Sequence, residues 1–205
     1  MRSSPLSLDH RVILDWIEEG SSVLDLGCSD GDLLSVLVRE KDVKAQGIEI
    51  NEQAIYACVA KGLSVFHQDI DHGLSEYGDQ AFGYVILNQS FQQVKKPDIV
   101  LTEALRVSKK VIIAFPNFAH YSARVQMVFK GKAPMTPSLP YEWHDTPNLH
   151  FLSISDFIEY CHERRITIER SFFIGKRGRV TFLPNLFSLT GIFLVSGGEV
   201  RGSDE

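Results

Sequence analysis

Apolar residues along the chain recur at two different spacings, and the switching between them lays out the elements. Leu8, Val12, Ile13 and Trp16 fall at helical spacing and predict a helix that stops at Gly20 and covers one edge of a sheet. Val23, Leu24 and Leu26 form the short apolar run of a strand buried on both faces, with Asp25 where the strand is about to surface. A helix follows over 32–39, with Leu33, Leu34, Leu37 and Val38 on one face. Residues 44–50 predict a second strand, 52–60 a helix, 63–67 a third strand and 82–87 a fourth. Val100, Leu101, Ala104 and Leu105 mark the next helix, and 111–115 a fifth strand. After an inserted helix at 120–129, a helix capped by Ser155 carries Asp156, Phe157, Tyr160 and Cys161, and strands follow at 166–173 and 189–195. Strands alternating with helices predict an α/β fold, a Rossmann-like, doubly wound and mostly parallel seven-stranded sheet with helices on both faces.

One stretch breaks the rhythm. Residues 131–150 hold four of the eight prolines, Pro134, Pro137, Pro140 and Pro147, with no periodicity. A loop of that length inside a domain is a lid, a binding loop or disorder. Tyr141, Trp143, Leu149 and Phe151 argue against disorder, because they offer surface worth burying. The expected organisation is one domain over 1–196, with the inserted helix and Pro/aromatic loop at about 118–150, and a disordered polar tail at 197–205. Lys176, Arg177 and Arg179 read as a solvated basic turn.

Composition narrows the partners. At 205 residues and 44% hydrophobic, the chain can bury one sizeable core. With 21 Lys+Arg against 26 Asp+Glu the net charge is −5, which disfavours nucleic acid, whose binding rests on phosphate neutralisation. Cys28, Cys58 and Cys161 are odd in number, far apart and without C-x-x-C spacing, so neither a disulfide framework nor a zinc site is expected, and a reducing cytoplasm is. No membrane span or leader is expected, since the longest apolar segment is interrupted by Ser188, Thr190 and Gly191. His144, Asp145 and His150 lack common metal-ligand spacing; a hydrogen-bonded structural histidine is the plainer reading, beside a proton-handling one.

The chemistry gathers at the first glycine turn. Gly27 and Gly31, with Cys28 and Ser29 between them, allow a ligand to approach bare backbone where the next helix presents its first N–H groups. The spacing is G-x-x-x-G, not the G-x-G-x-x-G of a pyrophosphate site, and Asp25 just before it would repel a pyrophosphate but accept from an ammonium or hydroxyl group. Glu49, 18 residues after Gly31, ends the second strand, where a carboxylate can take both hydroxyls of a ribose. Together they describe a nucleoside carrying a positively charged amino acid, S-adenosylmethionine.

These residues resemble the class I S-adenosylmethionine-dependent methyltransferases, whose first strand carries D-x-G-x-G-x-G and whose second ends in an acid. Here Ser29 stands for the middle glycine, which suits a backbone of negative φ and adds a side chain beside the cofactor. The resemblance implies that Asp69 accepts from the adenine amino group, that Ile50 and Ile70 form the adenine slot, and that Asn88 and Gln89 at the end of the fourth strand contact the ligand. No general base stands in that segment, and amides take no proton at neutral pH.

Finer detail resembles one branch. The residues from Val23 to Leu34, Gly47-Ile48-Glu49, Asn88-Gln89-Ser90, Ala114-Phe115-Pro116-Asn117-Phe118 and above all the block from Pro140 to Phe151 are similar to the methionine biosynthesis MetW family. That resemblance implies a bacterial cytoplasmic protein working with a homoserine O-acyltransferase of the MetX type. Two readings follow: an accessory or regulatory subunit that senses S-adenosylmethionine or S-adenosylhomocysteine and docks through its aromatic loop, or a methyltransferase acting on an unidentified small molecule. The missing base and Ser29 favour the first.

Overall fold

The computed structural model describes residues 6–198. In chain order they form α1 (Leu8–Trp16), β1 (Ser22–Leu26), α2 (Asp32–Lys41), β2 (Lys44–Glu49), α3 (Glu52–Ala60), β3 (Val65–His67), β4 (Phe82–Asn88), α4 (Pro97–Val107), β5 (Ser108–Pro116), α5 (Tyr121–Lys130), α6 (Ile154–Glu163), β6 (Ile166–Gly175), β7 (Gly178–Arg179), α7 (Pro184–Phe187) and β8 (Thr190–Gly197). Single 3-10 turns lie at Ile70–His72 and Phe91–Gln93. The sheet order is β3-β2-β1-β4-β5-β8-β6-β7. β1 to β5 run parallel, β8 antiparallel between β5 and β6, and β7 antiparallel to β6. The sheet has one strand more than the seven expected, and the addition is β7, a two-residue hairpin arm at the basic turn, too short to leave a periodic signal.

Two-residue alternation along the strands builds two cores. Leu24, Leu26, Val85, Leu87, Ile113 and Phe115 face α4 and α6, where Leu101, Phe157 and Cys161 are buried. Val23, Tyr84, Ile86, Ile112 and Ala114 face the opposite way, onto Ile13 of α1, Leu34 and Leu37 of α2 and Cys58 of α3. The first helix therefore lies across a face of the sheet and not along its edge as expected: Val12 and Ile13 pack in that core, which Phe172 and Ile174 of β6 border.

The strand order reverses between β1 and β4, and a crevice opens outside their carboxyl ends, where ligands collect in open α/β sheets. Beside it runs the proline loop, held down at several points. The N–H groups of Leu149 and His150 donate to the Gln92 carbonyl at 2.9 and 3.1 Å, and His150 Nε2 lies 2.9 Å from the Val94 carbonyl. Gln126 of α5 brackets Met135, donating to its carbonyl and accepting from its N–H. α6 begins two residues earlier than its sequence indicated. Ser153, not Ser155, is the N-cap, and it trades hydrogen bonds with Asp156 in a capping box. The expected tail at 197–205 lies outside the described residues from 199 onward, and Gly197 closes β8.

Candidate functional site

The glycine turn is a tightly bonded corner. The N–H groups of Gly27 and Cys28 both donate to the Ile48 carbonyl, tying the turn to β2. Gly27 has φ +78, and a Cβ there would meet Ser90 Cβ at 2.9 Å, so glycine is required on both counts. Ser29 departs from expectation: its φ is +50, not negative. A left-handed serine costs about 1–3 kcal/mol and persists only where its surroundings hold it. They do so from both sides, Glu49 Oε2 accepting from its N–H at 2.8 Å and the Cys58 thiol donating to its carbonyl at 3.1 Å. Burial pushes the Cys58 thiol up, which keeps it protonated as a donor.

A cavity of about 520 Å³ opens between this corner and the ends of β2, β3 and β4. Eight of the sequence-derived residues line it: Gly27, Ser29, Glu49, Ile50, Asp69, Ile70, Asn88 and Gln89. Asp25, Cys28 and Gly31 lie behind its wall. Cys28 packs over Gly47, where a Cβ would come 2.6 Å from its sulfur. Gly31, at φ +77, faces Leu63 and Cys58, so its missing side chain serves helix packing and not ligand approach. Asp25 is 2% exposed, its Oδ1 accepts no hydrogen bond, and its pKa is pushed up to about 7, by burial first and then by the charge of Glu49.

The lining could hold an adenosyl group. Glu49 already accepts from three N–H groups, of Ser29, Ile50 and Asn51, which leaves one of a carboxylate's roughly four acceptor directions for a hydroxyl. Ile50, 60% exposed, offers an apolar wall with Ile70. Asp69 caps its 3-10 turn through Oδ1, accepting from the Asp71 N–H at 2.9 Å. The sequence missed Ser90, Gln93, Val94 and Lys95, which also line the cavity. Their signal was the polar run after β4: Ser90 Oγ donates to the Leu26 carbonyl at 2.7 Å and so fastens that run to the glycine turn. Asp71 does similar work, accepting from the N–H groups of Lys95 and Lys96.

Beyond Gln89 and Gln93, which border both spaces, lies a second cavity of about 430 Å³ under the proline loop. Asp9 of α1 reaches its wall and accepts from Asn88 Nδ2 at 3.5 Å, a carboxylate beside the fourth strand that no local pattern in the sequence disclosed. Tyr141 and Asn148 are shared in turn with an apolar hollow of about 270 Å³ lined by Met127, Trp143 and Phe151. His150 is a hydrogen-bonded structural histidine, and His144 sits exposed 3.5 Å from Glu142. Among the described residues, no group of three His, Cys, Asp or Glu is placed to hold a metal, and no helix is long and apolar enough to cross a membrane.

The sheet order, the glycine corner and the acid ending β2 define a class I S-adenosylmethionine-dependent methyltransferase fold. A methyltransferase from Archaeoglobus fulgidus superposes with TM-score 0.66 at 16% identity over 91% of this chain and 90% of its own. One from Aquifex aeolicus gives 0.62 at 17% over 92% and 89%. The [4+2]-cyclase SpnF gives 0.66 at 15% over 96% and 84%, so the likeness fixes architecture and not reaction. Sequence goes further. The family model described as methionine biosynthesis protein MetW matches residues 7–195, and the chain belongs to that family. It is 35% identical over 201 residues to the bifunctional methionine biosynthesis protein MetXA/MetW of Rhodopirellula baltica, covering 91% of this chain and 32% of that relative's length.

Proposed function

We propose that the chain binds S-adenosylmethionine or S-adenosylhomocysteine in the cleft at Glu49 and serves as an accessory or regulatory subunit of a homoserine O-acyltransferase in methionine biosynthesis. Glu49 carries the cofactor half of this reading: its carboxylate stands at the carboxyl end of β2 with an acceptor direction to spare, between a glycine corner and two isoleucines. Asp69 and Asn88 add polar contacts, and a bound S-adenosylmethionine would bring a sulfonium methyl group to that space. The partner half is supported by the Rhodopirellula relative, whose name joins MetXA to MetW in one polypeptide. Fusion in one chain holds two units at high effective concentration, which suits units that act together. The surface offered to a partner is the aromatic loop, where Trp143, 78% exposed, and Phe151, 67% exposed, border one apolar hollow.

Co-expression with the acyltransferase tests the reading. A complex that survives gel filtration at micromolar concentration is expected; separate elution contradicts it. The second reading, a methyltransferase for a small molecule, draws support from Asp9, a proton acceptor at the wall of the second cavity. Release of S-adenosylhomocysteine on mixing with S-adenosylmethionine and a pool of cell metabolites would favour it, and binding without turnover would leave the accessory role.

A further inference from the structure

We propose that the second cavity is a binding site for a small organic ammonium ion. Its volume, about 430 Å³, is in the range of small-molecule sites. Asp9 is the single charged side chain in its wall among the described residues. The contact of its Oδ2 with Asn88 Nδ2, at 3.5 Å, is at the outer limit of a hydrogen bond, so most of the carboxylate's acceptor capacity is unspent. Gln92 is 3% exposed in the same wall, and its Nε2 is committed to the Gln89 carbonyl at 2.9 Å, which takes up a donor that an anion could otherwise use.

The wall thus asks for hydrogen-bond donors and positive charge. A carboxylate or phosphate would face Asp9 with no cation to balance it, and a zwitterionic amino acid would satisfy one end only. Leu8, Ile174 and Pro140 supply apolar surface for the ligand's body. The partition from the cofactor cleft is Gln89, held at φ +59 with its carbonyl gripped by the amides of both Gln92 and Gln93, at 2.9 and 2.7 Å. An ammonium ligand would lie beside the cleft without entering it, so the proposal stands apart from the cofactor reading.

Saturation-transfer NMR with n-butylammonium, butyrate and inorganic phosphate, each with and without S-adenosylhomocysteine, tests the site. Saturable binding of n-butylammonium is expected in both conditions, with butyrate and phosphate at least tenfold weaker. Asp9→Asn is expected to weaken n-butylammonium at least tenfold. Asp9→Ser, with a smaller neutral side chain, is expected to weaken it to the same degree and carries the test if Asp9→Asn does not fold. Butyrate binding as tightly as n-butylammonium, no saturable binding of the amine, or affinity unchanged in the folded variants would overturn the assignment.

Discussion

Asp25 carries a carboxyl group into the core beneath the glycine turn, where burial and the nearby charge of Glu49 hold its pKa at about 7 against an ordinary 3.8. The folded chain keeps this proton up to about pH 7, whereas the unfolded chain releases it near pH 4. The group therefore lowers stability as pH rises from about 4 to 7, by up to about 1.4 kcal/mol per pH unit, and the loss levels off above that. Asp25→Asn is expected to remove this slope and to be the more stable form at pH 8; urea midpoints of both proteins between pH 4.5 and 8 check it, and parallel profiles would contradict it. The sequence located Asp25 and Glu49 on adjacent strands, because apolar runs and an 18-residue offset are local signals. It could not tell that Asp25 lies behind the cavity wall, nor that Ser29 is left-handed, since both depend on what packs against the turn from β2 and α3. Asp9 was invisible for the same reason: it enters the site from a helix 79 positions away from its partner Asn88.

The elements were legible wherever periodicity ran for several residues. α3 occupies the stretch its pattern marked, and β4 and β5 extend theirs by polar or proline residues that hydrophobicity cannot claim. Short pieces were not: β7 and α7 span two and four residues and exist through tertiary contact. The start of α6 turned on two serines in one sequence, and only geometry distinguishes them. Ser153 has the extended backbone of an N-cap and bonds Asp156 reciprocally. Ser153→Ala is expected to destabilise the protein by about 1 kcal/mol, and Ser155→Ala by a few tenths, in chemical unfolding. Equal effects would mean that the capping box contributes nothing.

At the scale of the whole molecule, the sheet places three spaces side by side: the adenosyl-sized cleft, the amine-sized cavity and the apolar hollow, each sharing two residues with the next. The segment from Gln89 to Val94 lines the cleft on one side and anchors the proline loop on the other, through Gln92 and Val94 carbonyls. The aromatic face is thus built on the same backbone that a cofactor would touch. If that face docks the acyltransferase, Phe151→Ala and Trp143→Ala, both at exposed positions, are expected to weaken the complex at least tenfold while leaving thermal stability nearly unchanged. A complex of undiminished affinity would move the interface elsewhere. In the proposed complex Glu49 receives the ribose of an adenosyl ligand. Calorimetric titration of S-adenosylhomocysteine into the native protein and into Glu49→Ala, with circular dichroism confirming the fold of both, tests it most directly. The expected result is saturable binding by the native protein, weakened in the variant by about 1.5–3 kcal/mol, or roughly 10- to 150-fold. Equal affinities, or no binding by the native protein, would contradict it.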